Sequence, residues 1–137
     1  FWDIFKKRKA HWQYLRDHLS VYLDLLWLSD EDCNGVTSPH GFSITVKPGS
    51  LLSCDGLKSA FNQSEIDWKR NFGSMPTQHH CFSYLGHQIG EFPKAEYIGD
   101  NGIHVGVHYF LTEENLERIV KTVKCYIDTC YGSKNRS

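Results

Sequence analysis

Histidine and cysteine are the side chains best suited to chemistry near neutral pH, and here they gather in one stretch. His79, His80 and Cys81 are adjacent, His87 follows six residues on, and His104 and His108 lie further along. A zinc site calls for ligands in two close pairs, roughly two to five residues apart. His104 and His108 have a tolerable interval, but on a strand their Cα atoms would stand about 13 Å apart. Adjacent His79 and His80 point opposite ways if extended. A metal-binding domain built on His79, His80, Cys81 and His87 is therefore the lesser reading, and cleft-lining or solvent-facing histidines the plainer one.

Other chemistries find less support. No G-x-S-x-G occurs, and Cys81 beside His80 has no local signature of a nucleophile. Neither G-x-x-x-x-G-K-[ST] nor G-x-G-x-x-G is present, so no glycine loop is marked for a phosphate. Gly99-Asp100-Asn101-Gly102 reads as a turn, and Glu113-Glu114 as carboxylates serving a helix dipole. Lys69, Arg70 and Asn71 are better placed. They follow a short predicted strand and precede a Gly/Ser/Pro loop, where polar side chains reach a ligand from a rigid base. A solvated basic pair remains the simpler alternative.

The elements that must position these residues follow from periodicity. Phe1, Phe5, Trp12, Leu15, Leu19 and Tyr22 mark one face of an amphipathic helix over residues 1–22. Lys6 to Lys9 belong to its solvated face, since Asp3 and Asp17 accompany them. Leu25–Leu28 reads as a short strand and residues 29–40 as a loop. Phe42–Val46 is a half-buried strand stopped by Pro48-Gly49. Ser53 caps a short helix with Leu57, Ala60 and Phe61 inside, which Gly56 weakens by about 1 kcal/mol relative to Ala. Ile66–Trp68 reads as a strand, residues 70–92 as loop-rich, and Pro93–Ile98 as a short helix. Ile103–His108 is a strand with Ile103, Val105 and Val107 on one face and His104, Gly106 and His108 on the other. Thr112 and Asn115 open a last helix whose buried stripe is Leu116, Ile119, Val120, Val123 and Ile127. The order predicts an α+β domain, a small sheet with helices packed on one side.

Composition sets the outer bounds. The 137 residues, 40% hydrophobic and 23% charged, suffice for one soluble domain with its own core. A net charge of −1 offers no footprint for nucleic acid or an anionic membrane. The apolar run Val21–Leu28 is too short to cross a bilayer. Five scattered cysteines without a C-x-x-C pair suggest reduced thiols and a cytoplasmic location. The opening Phe1 suggests a piece of something longer.

Four segments in order carry a family resemblance. Gly41-Phe42-Ser43-Ile44-Thr45-Val46-Lys47-Pro48-Gly49 is similar to G-F-P-[IL]-T-V-[KR]-P-G. The run Ile66-Asp67-Trp68-Lys69-Arg70-Asn71-Phe72, followed by the small-residue loop to His79, resembles I-D-T-[KR]-x-x-F. Gly90-Glu91-Phe92-Pro93-Lys94-Ala95-Glu96 looks like G-D-F-P-x-A-E, and Leu111-Thr112-Glu113-Glu114 like an L-T-E-E helix start. These are motifs of the DegT/StrS family of pyridoxal-phosphate-dependent sugar aminotransferases and their dehydrase relatives.

The resemblance implies the C-terminal small domain of a fold-type I pyridoxal-phosphate enzyme, with a small mixed or antiparallel sheet. Residues 1–131 would form that domain, 1–24 the long connecting helix and 132–137 a disordered tail. The Schiff-base lysine and the cofactor's aspartate would lie on a large domain upstream, so no catalytic, cofactor-binding or metal residue is expected here. Substrate contact is expected from Lys69, Arg70, Asn71, Thr77, Gln78, His79 and His80. Trp68 stands where the family has a small threonine, and Lys69 keeps charge without an arginine's planar fork. The implied parent is a homodimer in the cytoplasm that transfers an amino group to a nucleotide-linked keto-sugar for lipopolysaccharide or polysaccharide synthesis. A dehydrase relative and a stand-alone, non-catalytic binding module are the alternatives. Phe1, Trp2, Phe5 and Trp12 are expected to face a missing large domain, which a stand-alone module would not need.

Overall fold

Strand alternation builds the centre of the domain. In the computed structural model, which describes residues 1–31, 38–72 and 75–132, Phe42, Ile44 and Val46 of strand β2 (Gly41–Val46) all point to one side and are buried. Ile103 and Val105 of β4 (Gly102–Gly106) join them. Strands β1 (Leu26–Leu28) and β3 (Trp68–Arg70) complete a four-stranded sheet in the order β1-β2-β4-β3, antiparallel at every pairing. Register sets Ile44 opposite Ile103, Ser43 opposite His104, and Lys69 opposite His104 from the other flank.

Three helices cover the apolar face. α1 (Trp2–Leu19) contributes Trp12, Leu15 and Leu19. α2 (Cys54–Gln63) contributes Cys54, Leu57 and Phe61. α4 (Glu113–Gly132) contributes Leu116, Ile119, Val123 and Ile127. The expected caps are in place. Ser53 Oγ accepts from the Gly56 amide at 3.0 Å, and Thr112 and Asn115 exchange bonds across the start of α4. Each satisfies donors that a helix start leaves open.

Several boundaries differ from expectation, each for a local reason. α1 ends at Leu19 and tightens into a 3-10 turn over Ser20–Tyr22. Phe1 and Trp2 are exposed, whereas Trp12 is packed edge-on against Phe42 and belongs to this domain's own core. The strand expected at Ile66–Trp68 lies two residues later, because Glu65 takes a positive φ of 54° and the Ile66 amide bonds back to Phe61. The strand expected to reach His108 ends at Gly106. Gly99-Asp100-Asn101-Gly102 is not a turn: helix α3 (Pro93–Asn101) runs straight into β4. In α4, Val120 is only half-buried, while Thr122 is buried and bonds Ser64 Oγ at 2.9 Å. The loop-rich stretch contains 3-10 turns at Pro76–Gln78 and His80–Leu85. The tail beyond Gly132 and part of the loop before His40 fall outside the described residues.

α3 sits on the other side of the sheet. Tyr97 packs edge-on against Trp27, which points away from the core, and its hydroxyl donates to the Val46 carbonyl at 3.0 Å. Among the described residues the rest of that face carries no helix, and Lys69 and Asn71 lie on it.

Candidate functional site

Alternation in β2, β4 and β3 brings Gly41, Ser43, Thr45, Gly102, His104, Gly106 and Lys69 to the outer face. Lys69 is exposed and faces His104 across the strand pair. His104 lies so close over Gly41 that a methyl there would stand 2.9 Å from its ring. His40, at the bend before β2, brings its ring to 5.8 Å from that of His104, edge to face. Burial lowers the pKa of His104 below the ordinary histidine value, and the charges of His40 and Lys69 lower it further.

Asn71 fastens β3 to this face. Its amide donates to Ser43 Oγ at 2.7 Å and its backbone N–H to the Gly102 carbonyl at 3.1 Å. Gly102 must be glycine, since a side chain would meet the Asn71 amide, the Ile98 carbonyl at 2.5 Å and Thr45 Oγ1 at 2.7 Å. Asn71 is thus a strut beneath this face.

Arg70 points to the opposite side of β3. With Gln78 and His79 it lines a cavity of about 230 Å³, shared with Phe72, Met75, Gly99 and Asp100. Arg70, Gln78, His79 and Asp100 make the lining largely polar, while the charge of Arg70 also reaches Asp55 on α2. Thr77 lies in the turn beside the cavity, its Oγ1 buried and without a partner among the described residues. His80 is exposed and does not line the cavity. His79 instead approaches Cys81, Nδ1 to Sγ 3.0 Å. Trp68 packs onto α2, donating to Asn62 Oδ1 at 2.9 Å beneath Lys58, and leaves the outer face open.

Thus Arg70, Gln78 and His79 are brought together, Lys69 stands apart on the sheet face, and Asn71 ties the two regions. His40, Ser43 and Asp100 were not among the expected site residues. Strand alternation had already put His104 on the face opposite the core. The loop's approach to α3 is held by Glu96, whose carboxylate accepts from the Gly90 amide at 2.8 Å and from the Phe92 amide at 3.4 Å. Gly90 has φ 100°, which suits glycine alone. Among the described residues no group of three His, Cys, Asp or Glu side chains could hold a metal ion. No described helix is long and apolar enough to cross a membrane.

Residues 2–124 match the DegT/DnrJ/EryC1/StrS aminotransferase family. The chain belongs to that family. No curated protein shows a significant match, but solved structures do. Spr1654 from Streptococcus pneumoniae, in its PMP-form, superposes with a TM-score of 0.77 at 17% identity, over 97% of this chain and 33% of that one. GDP-4-keto-6-deoxy-D-mannose-3-dehydratase from E coli, with bound hydrated PLP, gives 0.74 at 20%, over 88% and 31%. Sugar aminotransferase CalS13 from Micromonospora echinospora gives 0.71 at 12%, over 89% and 30%. At these identities the likeness shows the fold. The chain spans about a third of each of those structures.

Pyridoxal phosphate is the cofactor of the DegT family. Holding it takes a lysine for the aldehyde carbon, an acid or arginine at the ring nitrogen and donors for the phosphate. The groove of Trp27, Pro93, Lys94, Tyr97 and Ile98 offers a lysine beside two aromatic rings. Neither a carboxylate nor a guanidinium lines it. The described residues do not by themselves make a pyridoxal phosphate site, and no chemical step is assigned to them.

Proposed function

We propose that residues 1–131 are the C-terminal small domain of a pyridoxal-phosphate-dependent enzyme that acts on a nucleotide-linked keto-sugar. The observation that carries this reading is a family match running through residues 2–124 in a chain spanning only a third of its structural relatives. A larger domain would hold the cofactor, which supplies an electron sink for amino transfer. This domain would bind and orient the sugar nucleotide through Lys69, Arg70, Asn71, Thr77, Gln78, His79 and His80, and would not be catalytic alone. A related dehydratase variant has bound GDP-perosamine, which supports a nucleotide sugar as substrate class. Lipopolysaccharide or polysaccharide synthesis in the cytoplasm, by a homodimer, is the setting this reading expects.

The bare surface also favours a missing domain over a stand-alone module. Every residue from Gln78 to Lys94 is exposed, among them Phe82, Tyr84, Leu85, Ile89 and Phe92. Phe1 and Trp2 are exposed at the start of α1. Apolar surface of that extent marks a contact.

The reading frame upstream of Phe1 decides the matter. A cofactor domain with lysine at the Schiff-base position makes the parent an aminotransferase, checked by glutamate-dependent amination of a nucleotide-linked keto-sugar. A histidine there assigns it to the dehydratases. A stop codon or an unrelated domain overturns the enzyme reading.

A further inference from the structure

We propose that the outer face of the sheet, beside α3, carries a subsite for a phosphate-class dianion, built by Lys69, His104, His40 and the Ser43 hydroxyl. The proposal rests on the reading above only for the source of the phosphate, which would be the diphosphate of the sugar nucleotide.

Three observations converge. First, basic side chains are gathered by the fold: register fixes Lys69 opposite His104, and His40 closes in from the bend before β2. Among the described residues none of the three is paired with a carboxylate. A lysine with protonatable imidazoles beside it and no acid favours an anion between them. Second, Ser43 stands opposite His104 on the same face. Its oxygen already accepts from Asn71, so its own proton is left to donate. Third, Gly106 on the same face brings no side chain, and among the described residues nothing lies within 4 Å of where one would begin. The sheet backbone is therefore open to a ligand at Gly106.

The groups facing His104 set the pH behaviour. From β3 it meets Lys69, from the bend before β2 His40, and from β2 only uncharged Gly41 and Ser43. With its pKa already below the ordinary value, His104 is neutral in the free protein at neutral pH. A bound dianion favours the imidazolium, so binding takes up a proton and strengthens as pH falls.

The test is calorimetric titration of the chain with inorganic pyrophosphate between about pH 5.5 and about pH 8, with the histidine Cε1–H resonances followed by NMR. Binding that tightens at the lower pH and moves the His104 and His40 signals is expected. His104→Gln should weaken binding about tenfold at the lower pH and flatten its pH dependence, and Lys69→Met should weaken it about tenfold throughout. Lys121→Gln, on α4 across the sheet, serves as the charge control. Equal losses in His104→Gln and Lys121→Gln, or unmoved histidine signals with each variant folded by circular dichroism, would overturn the subsite. A nucleoside diphosphate that outcompetes pyrophosphate supports the substrate as source, and pyridoxal phosphate that does so supports the cofactor. Pyrophosphate binding beside an unrelated upstream domain keeps the subsite and sinks the enzyme reading. No binding, with a cofactor domain upstream, does the reverse.

Discussion

Gly56→Ala tests the joint between α2 and α4, because structure and helix propensity predict opposite signs. Gly56 is the third residue of α2, and alanine in a helix interior is favoured over glycine by about 1 kcal/mol. Propensity alone therefore predicts a stabilised chain. In the structure, however, a methyl at Gly56 would fall on the Tyr126 hydroxyl and lie 2.8 Å from ring atoms Cε2 and Cζ. That hydroxyl accepts from the Ser53 amide at 2.9 Å and donates to the Ser53 carbonyl at 3.0 Å. Moving it breaks two bonds worth about 1 kcal/mol each and disturbs Ser53, whose own side chain caps the helix. Loss of that cap costs about 1 kcal/mol more.

The balance is a net destabilisation of about 1 to 2 kcal/mol. Urea unfolding followed by circular dichroism reads it as a lower midpoint at unchanged slope. In a Tyr126→Ala background the obstacle is gone, and the same substitution should stabilise by about 1 kcal/mol. The double-mutant cycle should therefore show a coupling of about 2 to 3 kcal/mol. A higher midpoint for Gly56→Ala in the otherwise unchanged chain would refute the reasoning, because Tyr126 would then not occupy the space above Gly56.

Two further outcomes follow from buried titratable groups. Burial, then His40 and Lys69, hold the pKa of His104 below 6.5 in the folded chain. The unfolded chain then binds more protons, so stability should fall as pH drops through 6.5 toward the folded value. Urea midpoints across that range should decline less steeply in His104→Gln, and identical slopes would remove the effect. Burial raises the Cys54 thiol pKa, with Lys58 opposing, while Cys81 and Cys125 are exposed. A thiol reagent followed by peptide mapping should label Cys81 and Cys125 in the native chain and Cys54 only on unfolding. Early labelling of Cys54 would contradict its burial.

What could be read from the sequence was what depends on neighbours in sequence. The Ser53 cap, the Thr112–Asn115 start and the alternation of β2 and β4 are local patterns, and all are found. The position of β3 was not legible, because it turns on Glu65 adopting a left-handed conformation that non-glycine residues seldom take. Gly99–Gly102 carried a turn signal that tertiary packing overrode: Gly99 is buried, with Met75 Sδ 3.5 Å from where its side chain would begin. The candidate site divided along the same line. Lys69, Arg70 and Asn71 are consecutive, but strand alternation turns Arg70 away from the face that Lys69 and Asn71 share. The bend that brings His40 to His104 leaves no mark in spacing.

The outer face of the sheet makes sense only as a surface that something approaches closely. A two-layer domain facing water on one side ordinarily fills that face with Thr, Lys, Glu and β-branched residues. Here three positions in β2 and β4 are glycine and two are Ser43 and Thr45, which gives up strand propensity and packing. Gly102 is explained inside the domain, by Asn71 and Ile98. Gly41 is explained by the ring of His104. Among the described residues Gly106 has no neighbour that requires it, and it lies on the face that Lys69 and His104 share. Trp27 is exposed on this face beside α3, but the exposed apolar side chains are most numerous on the 78–94 segment and at the start of α1. The surface thus has a polar, glycine-lined floor around Lys69, His104 and Gly106, with an apolar groove at Trp27 to one side of it and most of the apolar contacts further away. That division is what a domain needs if it must hold a charged ligand on one surface while another domain grips it by the rest.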